Sequence, residues 1–211
     1  MSAQRLVVDW DGTVTEIDGL HLVLLEFGDR DIYEEHESRL GRDLTLREVI
    51  AGEFRSVRAP LDEVARWMRE NARVRAGFTD FAREYRPLVV SSGFQELIEP
   101  VLEREGLELE IRANTLDARP DGWRVLFREQ RLCEVCGERC KRSDVAGISD
   151  FAYVGDGYSD RCVAEVATRV FARDGLASYL AQKAVPFEAF DDFYDVTRAL
   201  DGGAVVPPSR S

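Results

Sequence analysis

Lysine is almost missing from this chain: of 28 basic residues, only Lys141 and Lys183 are lysines. Against an arginine background such a lysine marks a place that needs a compact ammonium rather than a planar fork, although a bias towards arginine explains the pair equally well. A surplus of positive charge is missing too. Forty acids against those 28 bases leave a net charge of -12, which argues against nucleic-acid partners and against binding to an anionic membrane surface. No apolar run approaches the length of a membrane span, and the N-terminus has no basic stretch leading into a long apolar one. A cytoplasmic protein with no membrane partner is therefore expected. Histidine occurs only as His21 and His36, both in segments that read as helices, where surface or packing roles outweigh ligation. No internal repeat or low-complexity domain is present.

What is present suffices for one good core, with room for a small appended domain: 211 residues, 45% of them hydrophobic. Three short apolar runs read as buried strands, each followed by polar turn residues. Leu6-Val7-Val8 leads into Asp9-Trp10-Asp11-Gly12-Thr13, Pro87-Leu88-Val89-Val90 ends in Ser91-Ser92-Gly93, and Phe151-Ala152-Tyr153-Val154 breaks into Gly155-Asp156-Gly157-Tyr158-Ser159-Asp160. Two carboxylates at a strand end are costly unless something positive lies between them, so Asp9 and Asp11 suggest a divalent cation, with one acid free to act as a nucleophile. In open parallel sheets the ligand lies beyond the carboxyl ends of the strands, which puts all three segments on one rim.

The segment over 14–75 is far too long for an ordinary crossover and reads as helices at Leu20–Phe27, Ile32–Leu40, Leu44–Phe54 and Leu61–Ala72. The expected architecture is α/β: a doubly wound, Rossmann-like parallel sheet with a small helical cap inserted after the first strand. The core would take 1–13 and 76–200, with a hairpin or flap at 107–130 around the turn Arg119-Pro120-Asp121-Gly122, and 201–211 would be a disordered tail. Thr79 is the expected N-cap of the helix entering the second strand. Cys133, Cys136 and Cys140 form a C-x2-C-x3-C cluster. These are candidate zinc ligands, but a structural zinc wants four, and Cys162 completes the set only if the fold brings it near; reduced buried thiols are the blander reading.

Taken in order, D-x-D-G-T at 9–13, Ser91 in V-V-S-S-G-F, Lys141, and G-D-G-x-x-D at 155–160 resemble the four motifs of the haloacid-dehalogenase superfamily phosphatases. The resemblance implies magnesium-dependent hydrolysis of a small phosphorylated metabolite. Asp9 would attack phosphorus and form an aspartyl-phosphate, while Asp11 would protonate the leaving alkoxide, activate the hydrolytic water and offer its backbone carbonyl to Mg2+. Asp156 would be the third metal contact, with Asp160 behind it. Ser91 and the amides at Ser92 and Gly93 would hold a phosphate oxygen, and Lys141 would neutralise both Asp9 and the phosphoryl group. Serine at 92 departs from the glycine common there. The helical insert is similar to that of the phosphoserine-phosphatase-like branch. The cysteines before Lys141, with Val170-Phe171-Ala172-Arg173-Asp174, resemble the methionine-salvage phosphatases acting on 2-hydroxy-3-keto-5-methylthiopentenyl-1-phosphate. Phosphocholine and phosphoethanolamine phosphatases also carry cysteines before the lysine. Asp18 falls where phosphoserine phosphatases usually have a glutamate for the substrate amine. Asp18, Arg55 and Arg58 are read first as solvated cap charges, with substrate contact the sharper alternative. A non-catalytic phosphate-sensing or partner-binding module is the reading of another class, and the joint presence of Asp9 and Asp11 speaks against it.

Overall fold

Alternate residues of the first strand face opposite layers of core: Leu6 and Val8 join one buried cluster and Val7 the other. That is the period of two expected of a strand covered on both faces, and it explains why the run reads as continuously apolar. In a computed structural model of the protein, which describes residues 4–202, this strand β1 (Arg5–Val8) lies at the centre of a seven-stranded sheet. The others are β2 (Leu88–Phe94), β3 (Ile111–Asp117), β4 (Arg124–Leu126), β5 (Phe151–Gly155), β6 (Arg169–Ala172) and β7 (Glu188–Ala189), in the order β4-β3-β2-β1-β5-β6-β7. All neighbours run parallel except β3 and β4, which pair antiparallel across the turn at 118–123. The register sets Val8 beside Val89 on one side and Val154 on the other, so the carboxyl ends of β1, β2 and β5 open on the same rim.

Four helices follow β1: α1 (Gly19–Phe27), α2 (Arg30–Arg39), α3 (Leu46–Phe54) and α4 (Leu61–Asn71). Their starts have local causes. Asp18 accepts from the His21 N–H, Asp29 from Asp31 and Ile32, and Thr45 forms a reciprocal capping box with Glu48. Phe54 stacks edge-on against Phe94 and lies over Trp123, joining α3 to the sheet side of the core. The remaining helices are α5 (Phe78–Tyr85), α6 (Gln95–Arg104), α7 (Arg161–Ala164), α8 (Asp174–Gln182) and α9 (Phe193–Gly202).

Several local expectations change. Thr79 does not cap α5: Gly77, in left-handed geometry at φ 81°, occupies the cap position, and the Thr79 hydroxyl bonds Glu105 instead. Ser91, Ser92 and Gly93 do not end β2 but lie within it, at the irregularity between Val90 and Phe94. Helix α8 and strand β7 were not read from sequence at all. Residues 201–202, expected in the tail, close α9, and the rest of that expected tail, 203–211, lies outside the described residues. Among the described residues no helix is long and apolar enough to cross a membrane.

Candidate active site

Asp9 follows β1 directly, and its N–H continues the ladder to the Val154 carbonyl at 2.9 Å, which ties its backbone to the end of β5. The chain then turns sharply at Gly12, whose φ of +77° and closeness to the Asp156 carboxylate leave no room for a Cβ. The turn brings Thr13 back under the acids, where its hydroxyl donates to Asp156 Oδ1 at 2.7 Å and lies 3.5 Å from Asp9 Oδ2. Asp11 points into the rim. Its Oδ1 accepts from the Gly19 N–H at 3.1 Å and its Oδ2 from the Ser91 hydroxyl at 3.0 Å. Ser91 accepts in turn from the Gly93 N–H at 2.8 Å, and a side chain at Gly93 would press on both Asp11 and Ser91.

Lys141 reaches the same place from the start of a short 3-10 turn, Lys141–Val145, and is only 2% exposed. Its ammonium bonds one oxygen of Asp9 and, at 2.7 Å, Asp160 Oδ1. Asp160 also accepts from the Tyr153 hydroxyl at 2.6 Å and from the N–H groups of Asp156 and Gly157 at 3.0 and 2.9 Å. Both of its oxygens are thus occupied by donors, which makes it an anchor for Lys141 and for the turn carrying Asp156. Lys183, by contrast, lies exposed with its ammonium 5.9 Å above the Tyr179 ring.

Electrostatics separate these acids. Burial opposes the charge of Asp160, but Lys141, Tyr153 and the Gly157 N–H outweigh it and hold the carboxyl below its ordinary range. Asp9 goes the other way: burial pushes it well above the ordinary range, the charges of Asp160, Asp156 and Asp11 add to this, and Lys141 opposes it. Asp156 is pushed up to about 6 by burial and by Asp160, against the Thr13 hydrogen bond. Asp11 rises to about 7, chiefly through burial and then through Asp18. Ligand oxygens of Asp9, Asp156 and Asp160 lie within 4.8 Å of one another. One lysine does not balance that many carboxylates. A divalent cation with oxygen ligands fits the surplus, and Asp9 and Asp156 are the acids with coordinating capacity left to hold it.

Beyond the acids the rim opens into a cavity of about 290 Å³ under the helices that follow β1. Asp18, Glu37 and Glu53 line it together with Leu20, Leu24, Leu40, Leu46 and Ile50, and among the described residues no arginine or lysine joins the lining. Arg55 and Arg58 are not part of the lining, whereas Asp18 is. His21 lines it as well, its Nδ1 2.5 Å from the Tyr33 hydroxyl, while His36 bonds the Ile32 carbonyl of its own helix. Sequence reasoning missed Glu53. A charged residue that lies on the buried side of an amphipathic helix, between Ile50 and Phe54, was the available signal. Glu53 is 3% exposed and its Oε1 has no hydrogen-bond partner among the described residues.

Burial, with the charges of Glu37 and Asp18, raises the Glu53 carboxyl to about 8. A raised folded-state value means that Glu53 favours the fold when protonated, and that this contribution fades as pH rises from its unfolded value towards 8. The Glu53→Gln variant should therefore be more stable than wild type at pH 9 by on the order of 1–3 kcal/mol, and nearly equal to it at pH 5. Thermal melts across this window check it. A difference that does not grow with pH would show that Glu53 keeps its charge at no cost.

The cysteines also converge: Cys162, at the start of α7, joins Cys133, Cys136 and Cys140.

The match to known proteins agrees with this geometry. Residues 6–165 match the family model described as haloacid dehalogenase-like hydrolase. The 2-hydroxy-3-keto-5-methylthiopentenyl-1-phosphate phosphatase of Bacillus cereus is 27% identical over 208 residues, covering 93% of this chain and 95% of the relative. Among solved structures, phosphoserine phosphatase from T. onnurineus superposes with a TM-score of 0.65 at 18% identity, covering 96% of this chain and 98% of that one. A phospho-aspartyl intermediate analogue of phosphoserine phosphatase gives 0.66 at 19% identity, with 92% and 97% covered. These structural likenesses are likenesses of fold. The family match over most of the chain, with the acids and the lysine it brings to one rim, makes this protein a member of the haloacid dehalogenase-like hydrolases, and within them a phosphatase.

Proposed function

We propose that the protein is a magnesium-dependent phosphomonoester hydrolase working through an aspartyl-phosphate at Asp9, with 2-hydroxy-3-keto-5-methylthiopentenyl-1-phosphate as its first candidate substrate. The observation that carries the reading is the convergence of Asp9, Asp11, Lys141 and Asp156 on one strand rim facing a cavity. Lys141 holds one oxygen of Asp9 and leaves the other for attack on phosphorus, and a carboxylate needs no deprotonation to attack. Asp11, fixed by Ser91 and the Gly19 N–H and poised at about 7, can give a proton to a leaving alkoxide and then take one from water. The Mg2+ held by Asp9, Asp156 and the backbone carbonyl of Asp11 would neutralise charge on the transferring phosphoryl group. Core and cap divide at 1–13 with 76–200 and at 14–75, residues 1–3 lying outside the described residues; the cap supplies cavity walls, and the enzyme works in the cytoplasm.

The cavity lining favours one substrate over another. Asp18 and Glu37, with no arginine or lysine in the lining among the described residues, would repel a carboxylate at the end of the substrate away from phosphate. A hydroxy-ketone can donate to those oxygens, and its methylthio tail has Leu24, Leu40 and Ile50 to pack against. A cationic end would also be accepted, which keeps phosphocholine and phosphoethanolamine as the alternative and puts phosphoserine behind both.

A panel of these phosphates with Mg2+ tests the reading. Turnover of the salvage substrate should exceed that of phosphoserine at least about 100-fold in kcat/KM, the scale of a few kcal/mol of like-charge repulsion. Excess chelator should abolish turnover and added Mg2+ should restore it. Phosphoserine as the best substrate would overturn the assignment, and turnover unaffected by chelation would overturn the metal.

A further inference from the structure

The sulfurs of Cys133, Cys136, Cys140 and Cys162 all lie within 4.8 Å of one another, and all four thiols are free. A tetrahedral zinc with bonds of about 2.3 Å sets its sulfurs about 3.8 Å apart, and Cys133 and Cys162 are already 3.5 Å apart. Disulfides need only two separate pairs of close sulfurs; here each of the four lies close to all the others.

The backbone is shaped for thiolates as well. From Cys133 to Glu138 the chain makes a tight turn closed by Gly137 N–H to the Cys133 carbonyl and by Cys133 N–H to the Glu138 carbonyl, both at 2.9 Å. Gly137 takes φ +73°, and nothing stands within 4 Å of where its Cβ would be, so the glycine answers to conformation rather than to crowding. Arg142 brings a guanidinium nitrogen 3.9 Å from the Cys162 sulfur, placing positive charge beside the cluster.

We infer that these four cysteines form a structural site for one zinc ion, apart from the magnesium site. Four sulfurs and no carboxylate select a soft tetrahedral ion over magnesium, and full sulfur coordination leaves no position open for catalysis. The ion would join the loop that ends at Cys140 to the start of α7 at Cys162. Lys141 follows the first of these and Asp160 precedes the second by two residues, so the zinc fastens together the two segments whose side chains form the buried pair behind Asp9.

Metal analysis of the reduced full-length protein, purified without chelator and dialysed against magnesium, tests this. The expected result is about one zinc per chain in a colourless protein. Exchange for cobalt(II) should give the intense thiolate charge-transfer absorption and red-region bands of a tetrahedral sulfur site, a signature the oxygen-rich magnesium site does not produce. Cys162→Ser should lower the zinc content well below one per chain and weaken the charge-transfer band. Because the cobalt spectrum is read on wild type, a misfolded variant does not decide the matter. Protein that holds no zinc and shows no thiolate band when offered cobalt(II) would overturn the site, and a red, iron-loaded protein would overturn its assignment to zinc.

Discussion

Replacing Asp9 by Asn is expected to lower kcat by at least about three orders of magnitude while leaving the protein folded. The two halves of that expectation have separate causes. Activity falls because an amide oxygen is a poor nucleophile and cannot carry the phosphoryl group. The fold survives because Asp9 is a carboxylate under strain: burial and the charges of Asp160, Asp156 and Asp11 already push its pKa well above the ordinary range. The neutral amide relieves that repulsion, and Lys141 keeps Asp160 as its partner at 2.7 Å. The melting temperature should therefore stay level or rise. Asp11→Asn should behave differently, since the nucleophile remains and only the proton donor is lost. Its defect should be about 100-fold or more on alkyl phosphates and far smaller on aryl phosphates, whose oxides leave without protonation. Substantial turnover by folded Asp9→Asn would remove Asp9 from the chemistry, and equal Asp11→Asn defects on both substrate types would remove Asp11 from the acid role.

Lys141→Ala should be the most damaging change to stability in the site. The ammonium is 2% exposed, and burial disfavours its charge, yet Asp160 and Asp9 more than compensate and push its pKa up. Its removal leaves Asp9, Asp156 and Asp160 clustered without the charge that balances them. Breaking a buried pair in this way costs about 3–5 kcal/mol, or roughly 10 °C in Tm for a chain of this size. Added Mg2+ should recover part of the loss, because it neutralises the same acids. Activity should fall as well, by more than the loss of folded protein explains. Lys183→Ala, at an exposed position over Tyr179, should change stability by no more than about 0.5 kcal/mol and leave turnover unaltered. Small and equal effects from the two substitutions would mean that Lys141 has no part in the site.

The gathering of these residues on one rim was legible because its signals are short and local. Asp9 to Thr13, Ser91 and Asp156 each sit within a few residues of an apolar strand, and the parallel sheet brings such strand ends together whatever lies between them. The rarity of lysine helped to single out Lys141. What escaped depends on contacts far apart in sequence. Tyr153 read as one more apolar strand residue, and its bond to Asp160 exists only because β5 turns back through Gly157. Glu53 drew no reading: its place between Ile50 and Phe54 marks a buried helix face, but only the fold shows that this face closes over the strand ends. Cys162 could not be joined to the other three cysteines until α7 was placed beside the 3-10 turn that starts at Lys141. The misreading of Ser91 to Gly93 as the end of β2 has a physical cause too: serine and glycine are weak strand formers, and here the ladder to β3 carries them through an irregular register.

The aspartyl-phosphate is the centre of this account, and trapping it is the most direct test. Wild-type protein turning over a phosphate-labelled substrate with Mg2+ should be quenched in acid, digested and mapped. Label is expected on the peptide containing Asp9, lost on treatment with hydroxylamine as an acyl-phosphate is, and absent from Asp9→Asn. Label on a different residue, or rapid turnover by an enzyme that never becomes labelled, would contradict it.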